Sequence, residues 1–150
     1  MRVAIGADHA GYELKERVKR LLEAGGHEVS DMGTQSTDST DYPKYAFRVA
    51  EAIRDGAADR GLLVCDSGNG IAIAANKVEG IRAAICLSAK QAEMARRHND
   101  SNVLVLGSAY IAPADVEPTV GTWLSTSFDG GRHARRIGQI TEYERSHARR

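Results

Sequence analysis

Short apolar runs separated by longer amphipathic segments constrain this chain more than any other feature of its sequence. The runs are Val3 to Gly6, His27 to Asp31, Gly61 to Cys65, Ala83 to Cys86 and Val103 to Leu106. They are too short for helices and read as strands of a parallel sheet, the central ones buried. The segments between them carry their apolar residues at helical spacing instead. Tyr12 to Glu23 puts Leu14, Val18, Leu21 and Leu22 on one face and is stopped by Ala24-Gly25-Gly26. Pro43 to Arg54 opens on a proline suited to a first helical turn and carries Phe47, Val49, Ala50 and Ile53. Ile71 to Asn76 starts another helix, and Ala89 to Arg97 and Ala112 to Leu124 supply two more. Strands that hand over to helices throughout predict an α/β fold: five parallel strands, right-handed crossovers and three αβα layers, wound in both directions.

At 150 residues, 42% of them hydrophobic, the chain suits a single domain spanning 1–150. The tail from Gly131 to Arg150 holds Ile137 and Ile140 among many charges. So few apolar residues predict a C-terminal helix laid on another surface, that of a partner subunit. Twenty Lys and Arg balance twenty Asp and Glu, which argues against non-specific attraction to nucleic acid or an anionic membrane. The expected partner is a small molecule. No window has the length of a transmembrane helix, and the chain starts on the strand-like Arg2-Val3-Ala4-Ile5 rather than a signal peptide, so a cytoplasmic protein is expected. Cys65 and Cys86 end different strands without a zinc spacing, which fits a reducing compartment.

The stretch from Val64 to Lys77 carries the strongest chemical signal. An apolar strand ends in Cys65 and breaks into Asp66-Ser67-Gly68-Asn69-Gly70 before a helix begins. Open α/β sheets bind ligands, anions especially, at such strand ends and helix starts. A thiol placed there is near a positive helix terminus, which is expected to lower its pKa and fit it as base or nucleophile; the alternative is a small buried hydrophobe. The glycine pattern lacks the spacing of a dinucleotide fingerprint and has no Walker lysine.

Other clusters admit two readings each. Asp8-His9 follows the first strand, so the acid either caps the first helix or joins the imidazole in holding hydroxyls or phosphate. His98-Asn99-Asp100 ends a helix, where a histidine is a dipole partner or an acid-base element. Arg132 and Arg136, four apart, make either a fork for one phosphate or part of a solvated basic face with Arg135. Gly33 to Tyr42, a long polar loop, is a candidate wall for a site at the strand ends.

Taken in order, Gly6 to Gly11, Thr40-Asp41-Tyr42-Pro43, Cys65 to Lys77 with Gly80-Ile81-Arg82-Ala83, His98-Asn99-Asp100 and Gly130-Gly131-Arg132-His133 resemble the type B ribose-5-phosphate isomerases and the related galactose-6-phosphate isomerase subunits. The resemblance spans nearly the whole chain, and the ordered combination is specific where each motif alone is not. It implies a Rossmann-like αβα fold and a homodimer or a dimer of dimers, with active sites completed across the dimer interface. It also implies aldose–ketose interconversion of ribose 5-phosphate and ribulose 5-phosphate, with no cofactor and no metal. Position by position it implies that Cys65 moves a proton between C2 and C1 through a cis-enediolate and that His98 opens the sugar ring. Asn99, Asp8 and Ser67 would meet hydroxyls, ring oxygen or enediolate. The backbone of Gly68, Asn69 and Gly70 would hold an anion, and His9, Arg132 and Arg136 would grip the phosphate. Some members place a glutamate base where this chain has Ile71, which cannot take that role.

Two positions depart from the family pattern. Asp66 stands where glycine is usual; its carboxylate either repels a nearby anion and raises the thiol pKa, points away, or binds a sugar hydroxyl. Ala109 stands where many members carry a phosphate-binding arginine, a loss of about 1.5–3 kcal/mol for one charge-assisted bond. These departures keep open another substrate, a tetrulose, allose or galactose phosphate or a free sugar, and a non-catalytic sugar-phosphate sensor. A thiol hydrolase or transferase fits less well, because it leaves the arginines without a purpose.

Overall fold

The structure, a computed structural model, describes residues 1–149, so Arg150 at the end of the expected tail lies outside the described residues. The elements follow the alternation of the sequence: β1 (Arg2–Ala7), α1 (Tyr12–Ala24), β2 (Glu28–Asp31), α2 (Tyr42–Arg54), β3 (Arg60–Cys65), α3 (Asn69–Ala75), β4 (Ala83–Ile85), α4 (Ala89–Asn99), β5 (Val103–Gly107), α5 (Val116–Ser125) and α6 (Arg132–Ser146). The helix expected from Ala112 opens instead on a 3₁₀ turn over Pro113–Asp115. Pro118 then falls in the first turn of α5, where its missing N–H costs no intrahelical bond.

All strand pairs are parallel, in the order β2-β1-β3-β5-β4. The β3–α3–β4 crossover skips one position, and β5 returns to fill it. Side chains alternate across the sheet, so Val3, Ile5, Ala7, Leu62, Val64, Leu104 and Leu106 pack with Val18, Leu22, Ala92, Val120 and Trp123 of α1, α4 and α5. Ala4, Leu63, Cys65, Val103 and Val105 pack on the other face with Ala46, Val49 and Ala50 of α2 and with Ile71, Ala72 and Ala75 of α3. Burial on both faces explains why the central runs are apolar without alternation. The arrangement is the expected α/β sandwich. No described helix is long and apolar enough to cross a membrane.

The tail helix α6 stands apart from this core. None of its residues is buried, and Ile140 and Tyr143 are 53% and 65% exposed. Within the chain it lies beside α4, and Glu144 accepts a hydrogen bond from the Gly80 N–H at 3.1 Å.

One charged side chain among the described residues is buried completely. Lys15 of α1 is fully buried, and its ammonium donates to both carboxylate oxygens of Asp31 at 2.8 Å. Burial opposes the Asp31 charge, but Lys15, the Gly33 N–H and Lys19 together hold its carboxyl below the usual carboxylate range. A lowered folded-state pKa adds stability above the ordinary carboxylate pKa that disappears as pH falls through the folded value. Asp31→Ala is therefore expected to cost about 3 kcal/mol at pH 7, because it strips a buried ammonium of its main partner. Urea unfolding at pH 7 and pH 3 checks this. The difference from wild type should shrink at the lower pH, and an equal loss at both would refute the account.

Candidate active site

Parallel winding places the carboxyl ends of β1, β3 and β5 side by side, and hydrogen bonds fasten them together. Ser108 after β5 donates from Oγ to the carbonyls of Ala10, at 3.0 Å, and Cys65, at 3.2 Å. The Ala109 N–H donates to the Asp66 carbonyl at 3.0 Å. Cys65 ends β3 on the α2/α3 face of the sheet and is 4% exposed. Its Sγ accepts from the Gly68 N–H at 3.1 Å. Gly68, at φ +86°, turns the chain into α3 through a conformation that a side chain would strain. Ser67 Oγ accepts from the Asn69 N–H at 3.2 Å and braces the same turn. The Tyr42 ring lies so close above Gly70 that a Cβ there would stand 2.5 Å from Tyr42 Cζ. Tyr42 thus roofs the loop from the first turn of α2.

The electrostatics of the thiol differ from the sequence expectation. Burial is the largest influence on Cys65 and pushes its pKa up; the negative charge of Asp8 adds to this. The N–H groups of Ile71, Gly68 and Ser67 pull the other way without prevailing, because α3 is only seven residues long and the sulfur is shielded from water. At neutral pH the group rests mainly as thiol.

Asp8 is 7% exposed, and its Oδ1 accepts from the Gly11 N–H at 3.1 Å, so it caps the start of α1 while its charge acts on Cys65. The two roles coexist. His9 Nδ1 lies 3.1 Å from the Thr40 N–H, which donates to it, and 3.2 Å from the Thr40 carbonyl. With Nδ1 accepting, the ring proton sits on Nε2, which is left for another partner. Thr40 is fastened in turn to the buried Tyr45 hydroxyl at 2.9 Å, and so the 33–42 loop docks at this edge as expected of a site wall. Asp66 and Asn69 are exposed, and the Asp66 carboxylate has no hydrogen bond or ion pair among the described residues.

His98, Asn99, Arg132 and Arg136 lie elsewhere. The α4 helix leaves the carboxyl edge after β4 and runs back for 11 residues, roughly 16 Å of axis, so His98 and Asn99 reach the opposite edge of the sheet. There the Asn99 carbonyl accepts from Arg82 Nε at 3.1 Å, just ahead of β4, and Arg82 N–H donates to Asn102 Oδ1 at 2.8 Å, just ahead of β5. The His98 ring stacks on His133 of α6 with centroids 4.3 Å apart and planes 10° apart. His133 is held below the ordinary histidine pKa, first by burial and then by the charges of His98, Arg132 and Arg136. Arg132 and Arg136 are exposed and have no ion pair among the described residues. One chain therefore gathers Asp8, His9, Cys65 and the 66–70 loop at one edge, and His98, Asn99, Arg132 and Arg136 at the other.

Sequence reasoning placed Thr40 and Tyr42 in the candidate wall without an individual role, passed over Tyr45, and did not set His133 and Asp129 beside His98. The signal for Tyr42 was its place at the end of the polar loop, opposite a glycine that admits a ring. The stacking of His133 carries no local sequence signal, because it depends on how α6 meets α4.

Comparison with known proteins identifies the family and the fold. Residues 3–140 match the Ribose/Galactose Isomerase family. The chain is 44% identical to ribose-5-phosphate isomerase B of Escherichia coli over 143 residues, 95% of this chain and 96% of that one. The solved ribose-5-phosphate isomerase B of Clostridium thermocellum superposes with a TM-score of 0.97 at 47% identity, covering 99% of this chain and all of the other. That of Mycoplasma genitalium, solved with bound ribulose 5-phosphate, superposes with a TM-score of 0.92 at 38% identity over 96% of both chains.

Asp8→Asn is expected to move the midpoint of Cys65 alkylation by iodoacetamide toward lower pH, since the carboxylate charge opposes the thiolate. Mass spectrometry follows each cysteine separately; Cys86, pushed up to about 11 by burial, serves as the unreactive reference. An unchanged midpoint would show that Asp8 acts only as a cap.

Proposed function

The chain belongs to the ribose/galactose isomerase family and is a sugar-phosphate isomerase, and from that premise we propose that it interconverts ribose 5-phosphate and ribulose 5-phosphate through a cis-enediolate. The observation that carries the mechanism is the Cys65 sulfur held among backbone N–H groups at the head of α3. As thiolate, Cys65 takes the C2 proton of the open-chain aldose. The electron pair left behind makes the enediolate, whose oxygens the N–H groups of the 66–70 loop stabilise as charge develops. The thiol returns the proton to C1 while the C2 hydroxyl proton passes to the C1 oxygen, leaving the C2 oxygen as the carbonyl. His98 opens the furanose by moving a proton from the anomeric hydroxyl to the ring oxygen. His9 through Nε2, with Arg132 and Arg136, grips the phosphate. Since the active base is the deprotonated form of a thiol whose pKa is raised, turnover should climb as pH rises through that value.

The separation of the two residue groups supports a site shared between two copies of the chain. Roughly 16 Å of α4 stands between the Cys65 edge and the His98 edge within one chain, and α6, which has no buried residue of its own, carries the arginines. A twofold dimer joins the Cys65 edge of each copy to the His98 edge of the other, twice. A second reading concerns only the sugar. Asp66 is exposed without a partner at the loop, and Ala109 brings no charge beside it, which favours a phosphosugar that offers a hydroxyl to that carboxylate.

Proton NMR in deuterated buffer tests the reaction. Loss of the C2 proton signal fastest with ribose 5-phosphate, among a panel of phosphorylated and free aldoses, is the expected result; fastest exchange with another sugar would move the assignment to that sugar. Cys65→Ala should lower kcat by at least ~10²-fold with the fold intact, as for loss of a general base. Mixing inactive Cys65→Ala and His98→Ala proteins after reversible dissociation tests the shared site. Half of the randomly paired dimers are hybrids with one intact site of two, so activity should return to roughly one quarter of wild type. No recovery in proven hybrids would place both groups in one chain.

A further inference from the structure

We propose that His98, His133 and Asp129 form a binding site for a divalent transition-metal ion of the zinc class, and that its occupation blocks the isomerase. Each of the three offers one ligand atom, and these atoms lie within 4.8 Å of one another. Tetrahedral zinc with ligands near 2.1 Å sets them about 3.4 Å apart, so the site must close by up to ~1.5 Å, and one of the two stacked rings must turn, because an imidazole binds a metal in its own plane. The elements that carry the ligands permit this. Asp129 is exposed on the segment between α5 and α6, and His133 sits on the first turn of a helix with no buried residue. His98 alone belongs to a well-packed helix.

The chemistry suits a borderline metal ion. Two imidazoles and one carboxylate are a ligand set of catalytic zinc sites, with a fourth position open to water. Asp129 is already oriented: its two oxygens each lie 3.2 Å from Arg97 Nε, and its N–H donates to the Arg97 carbonyl at 3.0 Å. One oxygen can turn to the ion while the other keeps the arginine, the usual arrangement behind a metal-bound carboxylate. Arg97, Arg132 and Arg136 oppose a cation, which makes this a reversible site rather than a permanent one. The charges facing the histidine pair are thus Asp129 in favour and three guanidinium groups against.

The block rests on the role of His98 proposed above; the binding does not. A metal ion on the His98 lone pair prevents that ring from moving the proton of the anomeric hydroxyl. Ribulose 5-phosphate cannot close a furanose ring, because its C5 oxygen carries the phosphate. Inhibition should therefore be stronger from ribose 5-phosphate than for solvent exchange of the ribulose 5-phosphate C1 proton.

The test uses the whole metal-free protein. Cobalt(II) titration followed by visible absorption is expected to show one tetrahedral ion per chain, and zinc should compete for it in calorimetry. Asp129→Ala and His133→Ala should each weaken binding at least ~10-fold, the scale seen for lost metal-site partners. Zinc should inhibit wild type, EDTA should reverse it, and Asp129→Ala should keep its activity and resist zinc. No cobalt band, or binding unchanged in both variants, would overturn the site. Zinc inhibition that persists in Asp129→Ala would assign the effect to a thiol and overturn the block. Metal binding in a protein inactive with every sugar tested would leave the site standing and refute the isomerase reading instead.

Discussion

The requirement that neighbouring strands run parallel governs everything else in this molecule. A parallel partner cannot be reached by a hairpin, so every strand must send the chain back along a helix before the next begins. The carboxyl ends of β1, β3 and β5 consequently meet at one edge, where Ser108 and Ala109 tie them together. The carboxyl ends of the returning helices meet at the other. Polar loops accumulate at the first edge because the strands that feed them are apolar on both faces and cannot carry chemistry themselves.

That geometry sets the working conditions of the thiol. Cys65 is the last residue of a buried strand, so its sulfur is inside the water boundary while the next residue, Asp66, is outside it. The turn at Gly68 aims N–H groups at the sulfur, yet desolvation and Asp8 outweigh them. A thiol of this kind is costly to ionise, and its thiolate is correspondingly basic, which fits the proton removal proposed for it above. Asp8 links the thiol to the architecture, since the same carboxylate caps α1 and acts on the sulfur.

The second edge has a different character. His98, His133, Arg132 and Arg136 come from the end of α4 and the start of α6, a helix that contributes nothing to the core of its own chain. A helix so weakly committed is retained most simply when another surface completes it. In the shared site proposed above the two edges would complement each other: one offers a thiol and loop amides, the other guanidinium groups and a stacked pair of imidazoles.

Much of this was legible in the residues. Runs such as Leu62-Leu63-Val64 declare buried strands, the spacing of Val18, Leu21 and Leu22 declares a helix, and the break after Cys65 declares a loop at a strand end. The strand order was not legible, because nothing local tells β5 to slip between β3 and β4. The raised pKa of Cys65 was hidden, since the helix terminus is visible in the sequence and the degree of burial is not. Nor does the spacing of His98 from His133 foretell a stacked pair. The sequence by itself determined the local elements, the chemistry-bearing loops and the family, because periodicity, turn residues and motifs act over short stretches of chain. The tertiary structure alone decided which of those residues stand together and how they are charged, because proximity and desolvation arise only when distant segments pack.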